Sequence, residues 1–114
     1  MGSSSTASAA EEDIHGYVND YGDWVYYKTQ RCAKSDVYIY MTQFPNGNSI
    51  SHRLNTQSNG GGHSWGGKYI QKGDKSKRYL GPKSGNCFYW QAKDYPGWWP
   101  SDSPQKWAGK VRYR

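Results

Sequence analysis

The residues of this chain that could do acid–base or phosphate chemistry are three histidines, a handful of acids and many cations. His52-Arg53, His63 and the Lys/Arg-rich stretch 72–83 contain the groups a small ribonuclease needs: a general base, a general acid and a cation for the phosphate. A glycosidase needs two carboxyl groups set across a cleft. The only glutamates are Glu11 and Glu12, and the later acids (Asp23, Asp36, Asp74, Asp94 and Asp102) are scattered, mostly beside Gly or Ser, where aspartate makes turns. No pair of His15, His52 and His63 has metal-ligand spacing on one element, so no metal or cofactor is expected. Gly60-Gly61-Gly62 lacks the Gly-Lys-Ser/Thr ending and the helix of a phosphate-binding loop. These absences point to a binding protein rather than an enzyme.

The chemistry that is abundant is cationic and aromatic. Residues 28–114 hold all 15 Lys and Arg against four acids, a surplus of +11, while residues 1–27 hold five acids and no Lys or Arg. A basic body suits an anionic partner: an anionic or glycan polymer of a cell envelope, an acidic extracellular protein, or nucleic acid. The acidic leader is also placed to fold back on that body. Flat rings stack on sugar faces or bases, with neighbouring Lys and Arg capturing phosphate or carboxylate. The loop positions Trp65, Tyr95, Trp98 and Trp99, with His63, Lys75, Lys77 and Arg78, are the candidate binding residues.

The elements that must position these groups are strands. With 114 residues there is room for one small domain. The chain has 19 aromatic side chains against ten Leu, Ile and Val, so rings must replace aliphatics in the core. No stretch shows helical periodicity or the length of an apolar membrane span. Strand-like runs fall at 24–31, 36–44, 49–55, 68–71, 78–80, 86–92 and 107–113, separated by Gly, Pro, Asn, Asp and Ser. In 36–44, Val37, Ile39 and Met41 share one face and Tyr38, Tyr40 and Thr42 the other. Asn46-Gly47 predicts a hairpin that returns through 49–55, with Ile50, His52 and Leu54 on one face. The glycine-rich stretch 57–67 reads as a loop, and the prolines of 94–105 exclude a central strand. The expected fold is all-β, a small antiparallel sandwich or barrel of about six or seven strands. Residues 1–13 read as a flexible leader and 14–114 as a single domain. Cys32 and Cys87 are expected to form a disulfide in a secreted domain and would be buried thiols in a cytosolic one. Poverty in aliphatics favours the disulfide, worth roughly 4 kcal/mol in the chain-entropy model.

The run CFYWQAKDYPG at 87–97 adds a resemblance. Trp90, four residues, Tyr95, one residue and Gly97 resemble the aromatic corner of βγ-crystallin-like domains. The preceding Cys87-Phe88-Tyr89 resembles the corresponding run in small secreted actinobacterial members of that fold. That resemblance implies a β-sandwich and a role as a peptidase inhibitor or killer-toxin-like antimicrobial protein. It does not imply calcium binding, because the Asn/Asp-rich loop ending in Ser-Ser is absent. The leading expectation is a secreted, non-enzymatic protein whose basic, aromatic surface engages an anionic or glycan-bearing microbial envelope target, with an antimicrobial role. Three alternatives stand beside it: a peptidase inhibitor acting through an exposed loop, a ribonuclease-type toxin, and a subunit of a larger secreted assembly.

Overall fold

A computed structural model describes residues 11–19, 21–81, 87–96 and 103–114. Eight strands run in chain order: β1 Glu11–Val18, β2 Trp24–Cys32, β3 Val37–Gln43, β4 Ile50–Asn55, β5 Ser64–Ile70, β6 Arg78–Gly81, β7 Cys87–Asp94 and β8 Gln105–Arg112. They form two four-stranded antiparallel sheets, β1-β8-β3-β6 and β2-β7-β4-β5. The fold is all-β, as composition and spacing predict. No helix among the described residues is long and apolar enough to cross a membrane.

Alternation decides which side of each strand faces in. The first sheet buries Ile14, Val18, Val37, Ile39, Met41, Leu80, Trp107 and Val111. The second sends Ile50, His52, Leu54, Ile70, Phe88, Trp90 and Ala92 to meet them. Two tryptophans and a phenylalanine lie among these aliphatics with no exposure, so rings do stand in for missing Leu and Val. Cys32 and Cys87 are paired across β2 and β7 and form the disulfide.

Three expectations need correction. Glu11, Glu12 and Asp13 are not leader: they are the first residues of β1, in register with Arg112, Val111 and Lys110 of β8. Their acids hold the body's cations. Asp13 accepts from Lys110 at 2.6 Å, and Glu12 accepts from Arg31 at 2.7 Å and Arg114 at 2.8 Å. Strand propensity was hidden there because Glu11, Asp13, His15 and Tyr17 point outward and only Ile14, Gly16 and Val18 point in.

The Asn46-Gly47 turn forms, but the hairpin does not. Both residues have positive φ, 47° and 71°, and the Asn48 amide donates to Pro45 O at 2.8 Å. The chain leaving this turn crosses to the other sheet, so β3 pairs with β8 and β6 while β4 pairs with β5 and β7. Each strand has one face of buried residues, Val37, Ile39 and Met41 on β3 and Ile50, His52 and Leu54 on β4. Crossing lets those faces oppose each other instead of lying side by side.

The glycine-rich stretch is strand at its end. Gly66 and Gly67 sit inside β5, where both lie opposite Arg53 in a bulge between the His52–Lys68 and Leu54–Trp65 pairs. Gly66 has φ 73°, and a Cβ there would stand 1.9 Å from Leu80 O on β6. Glycine lets β5 pass directly against the other sheet's edge.

The sheets are joined in the middle by His52. It has no exposed surface, and its Nδ1 accepts from Trp90 Nε1 at 2.8 Å. The ring proton is therefore on Nε2, which faces Met41 Sδ at 3.2 Å from the opposite sheet. Trp107, also from the opposite sheet, packs edge-on against the imidazole with centroids 4.7 Å apart. Burial pushes the His52 pKa down from 6.5 to about 3. The folded protein thus holds it neutral where the unfolded chain would protonate it, and stability is lost as pH falls from 6.5 toward 3. The expected slope is about 1.4 kcal/mol per pH unit. Urea unfolding between pH 5 and 7 should show it in the wild type and not in His52→Gln; an unchanged slope in the variant would refute the assignment.

Candidate functional site

The outward residues of the second sheet make a continuous strip of rings and cations. Register fixes its order. Trp24 of β2 lies opposite Lys93 of β7, Lys93 opposite Ser51 of β4, and Ser51 opposite Tyr69 of β5. In the next row Tyr26 lies opposite Gln91, and Gln91 opposite Arg53. All are out of phase with the buried Ile50, His52, Leu54, Phe88 and Trp90, which is why they share the outer face.

Contacts knit the strip together. The Arg53 guanidinium stands 3.9 Å from the centroid of the Trp24 ring and donates its Nε to Gln91 Oε1. Lys93 Nζ lies 5.3 Å from both the Trp24 and Tyr95 rings. Tyr95 meets Tyr69 edge-on at 4.9 Å and shares a 2.7 Å hydrogen bond with Ser51 Oγ. Tyr69 is 51% exposed and Tyr95 38%, so their rings are open to a ligand. None of the four ion pairs among the described residues uses Arg53 or Lys93.

Residues 56–63 close one end of this face. Gly60 lies against Tyr26: with φ 78°, a Cβ there would be 2.8 Å from the tyrosine ring. Asn55 ties the loop down, accepting from the Gln57 amide at 2.9 Å and donating to Gly60 O and Gly62 O at 3.4 Å. Lys28 Nζ donates to Ser58 O at 3.3 Å. The loop buries Asn55 and Gln91 although both point away from the core. The loop therefore bounds the strip beyond Tyr26, which itself stays 42% exposed, and the Tyr69–Tyr95 end is open.

The residues singled out from the sequence are not gathered in one place. Tyr95 belongs to the strip. Trp65 is half-buried against Phe88 at 6.2 Å, with its indole Nε1 enclosed and unpaired, and the exposed His63 stacks on it at 6.3 Å. Lys77 and Arg78 sit at the edge of the first sheet. Lys77 Nζ lies 4.6 Å from the Tyr38 ring, and Arg78 is paired with Asp74. Lys75 is exposed in the same β5–β6 connection. Trp98 and Trp99 lie outside the described residues. The ribonuclease constellation is taken apart, because His52 points into the core while its neighbour Arg53 points to the opposite side of the sheet. No group of three or more His, Cys, Asp and Glu among the described residues could hold a metal ion.

Trp24, Arg53, Tyr69 and Lys93 are not among the candidate binding residues that the sequence suggests, where Arg53 stands out only as a neighbour of His52. The available signal was phase: each alternates with a core residue on its own strand. Bringing them side by side requires the cross-strand register, which phase alone does not supply.

No protein-family model, no curated protein and no solved structure matches this chain. The site is accordingly read from its own geometry.

Gly60→Ala tests the docked loop. A side chain at positive φ costs about 1–2 kcal/mol, and the methyl would push against Tyr26. The variant should unfold at lower urea concentration, with faster amide exchange at residues 56–63. Unchanged exchange there would show that the loop does not depend on this contact.

Proposed function

We propose that this is a secreted, non-enzymatic binding protein that engages an anionic glycan polymer of a microbial cell envelope through the outer face of the second sheet, with an antimicrobial role. The observation that carries the reading is the alternation of rings and cations along Tyr69, Tyr95, Lys93, Trp24 and Arg53. Exposed tyrosine rings offer flat apolar surface to sugar C–H groups. Lys93 and Arg53 offer charge-assisted hydrogen bonds to carboxylate or phosphate. The Tyr95 hydroxyl, held by Ser51 Oγ, adds a polar group for sugar oxygens. A rigid sheet presents these groups in fixed spacing, which limits the entropy lost on binding. The disulfide supports secretion, because such bonds persist in oxidising compartments.

Electrostatics supports the choice of face. On the first sheet Lys110 is held by Asp13, and the Tyr40 hydroxyl is bonded to Glu11. That surface satisfies much of its own charge. The strip on the second sheet has cations held over rings, a geometry that leaves their positive charge for an anion.

Sedimentation with teichoic-acid-bearing cell walls tests the proposal. Wild type should bind at low salt and be released as salt rises. Arg53→Gln with Lys93→Gln should weaken binding about tenfold or more, in line with losing two charge-assisted bonds. Tyr69→Ala should weaken it at every salt concentration. Walls stripped of anionic polymer should bind poorly. Equal binding by the double variant, or none by the wild type, would remove the reading.

A further inference from the structure

The outer face of the first sheet carries a second cluster of rings and cations, on the opposite side of the sandwich from the strip. Alternation along β3 turns Tyr38 outward between the buried Val37 and Ile39. On β6 a bulge does the same for Tyr79. The register shifts between the Val37–Gly81 and Tyr38–Tyr79 pairs, so Leu80 is the extra residue and has no partner on β3. Regular pairing would set Leu80 opposite Tyr38 on the outer side. The bulge instead sends Leu80 into the core, where it is 1% exposed, and leaves Tyr79 beside Tyr38.

The row across this sheet reads Tyr79, Tyr38, Arg112 and Glu11, from β6 through β3 and β8 to β1. The Tyr38 and Tyr79 rings are tilted by 54°, with centroids 5.4 Å apart. Lys77 Nζ stands 4.6 Å from the Tyr38 centroid. Tyr79 is 42% exposed and Lys77 is exposed, while Tyr38 and Arg112 are half-buried. The acids of this sheet are largely engaged elsewhere: Asp13 holds Lys110, Glu11 is bonded to the Tyr40 hydroxyl, and Asp74 holds Arg78. None of the four ion pairs among the described residues uses Lys77 or Arg112. Partial desolvation, then the charge of the nearby Asp36, raises the Tyr79 pKa, so its hydroxyl stays a neutral donor.

We infer that Tyr38, Tyr79, Lys77 and Arg112 form a second binding site for the anionic glycan class proposed for the strip, which makes the protein bivalent and able to cross-link envelope polymers. This assignment rests on the glycan reading of the strip. The chemistry of the two places is alike: an exposed tyrosine with a ring neighbour offers flat apolar surface to sugar C–H groups, and two cations offer charge-assisted bonds to carboxylate or phosphate. Lys77 and Arg112 against Asp36 leave a positive balance, which selects a negatively charged polymer. The two sheets of a sandwich stand about 10 Å apart, and their outer faces look in opposite directions. A polymer stretch lying flat on the strip is on the far side from Tyr79, so the second site takes another stretch.

Clumping of teichoic-acid-bearing wall fragments is the test, read as turbidity against protein concentration at low salt. Wild type should clump the walls when protein is limiting and lose the effect in excess, where each molecule is held by one face alone. Tyr79→Ala removes an exposed ring and no charge, and Lys77→Gln removes an exposed cation. Together they should raise the protein needed for half-maximal clumping by about tenfold or more, while the folded variant still sediments with the walls. Arg53→Gln with Lys93→Gln should also abolish clumping, by disabling the other face. A wild type that sediments with walls but never clumps them overturns the inference and leaves the strip's role standing. So does a Tyr79→Ala, Lys77→Gln variant that clumps like wild type, or a wild type that is already a dimer without walls. Failure of the wild type to sediment with walls removes both assignments.

Discussion

The structure turns on a histidine held where water cannot reach it. His52 belongs to one sheet, and three of its contacts define the core: a bond accepted from Trp90, a sulfur facing it from Met41, and the edge-on packing of Trp107. Indole N–H groups are costly to bury without acceptors. A core that uses tryptophan for want of leucine must therefore supply polar partners inside. His52 does so for Trp90, and the Tyr27 hydroxyl does so for Trp107. These bonds have direction, which aliphatic packing lacks. They fix how the rings sit and thereby the relative placement of the two sheets.

Alternation along β2 turns Tyr27 inward, and it reaches Trp107 because Gly16 carries no side chain; the ladder to β7 is interrupted there, over Trp90. On the far side β5 bulges opposite Arg53, and Gly66 lets it approach Leu80. The bulge beside Arg53 and the break beside Tyr26 flank the outer strip, so the devices that fit the core also shape the surface. One strand, β2, serves both: Trp24 and Tyr26 face outward, and Tyr27 faces inward.

Much of the architecture was legible in the amino-acid order. Alternation in 36–44 and 49–55 correctly separates inward from outward residues, and the aromatic excess correctly signals a core built from rings. The pairing of the two cysteines followed from the small size of the core. The partners of each strand were not legible. Asn46-Gly47 specifies its turn faithfully, yet a turn fixes only four residues, and burial of two apolar faces decides where the next strand goes. For the site, Tyr95 was identified, while Trp24, Tyr69, Arg53 and Lys93 become neighbours only through register. His52 shows the converse: a histidine beside an arginine reads as chemistry in sequence, but two successive strand residues face opposite ways.

The disulfide joins β2 to β7, neighbours within one sheet, rather than one sheet to the other. It therefore acts on an edge strand more than on the core. Among the described residues β2 has no second hydrogen-bonded neighbour, and its ladder is interrupted midway. The half beyond the break, Gln30 to Cys32, is clasped to β7 at its last residue. Cys32 is exposed, so the clasp is open to thiols. Releasing it would free the end of the strand that carries Arg31 while leaving His52 and the buried tryptophans packed. The redox state of the surroundings would then be sensed first at this edge of the second sheet, as a local fraying, before the body of the protein registered any change.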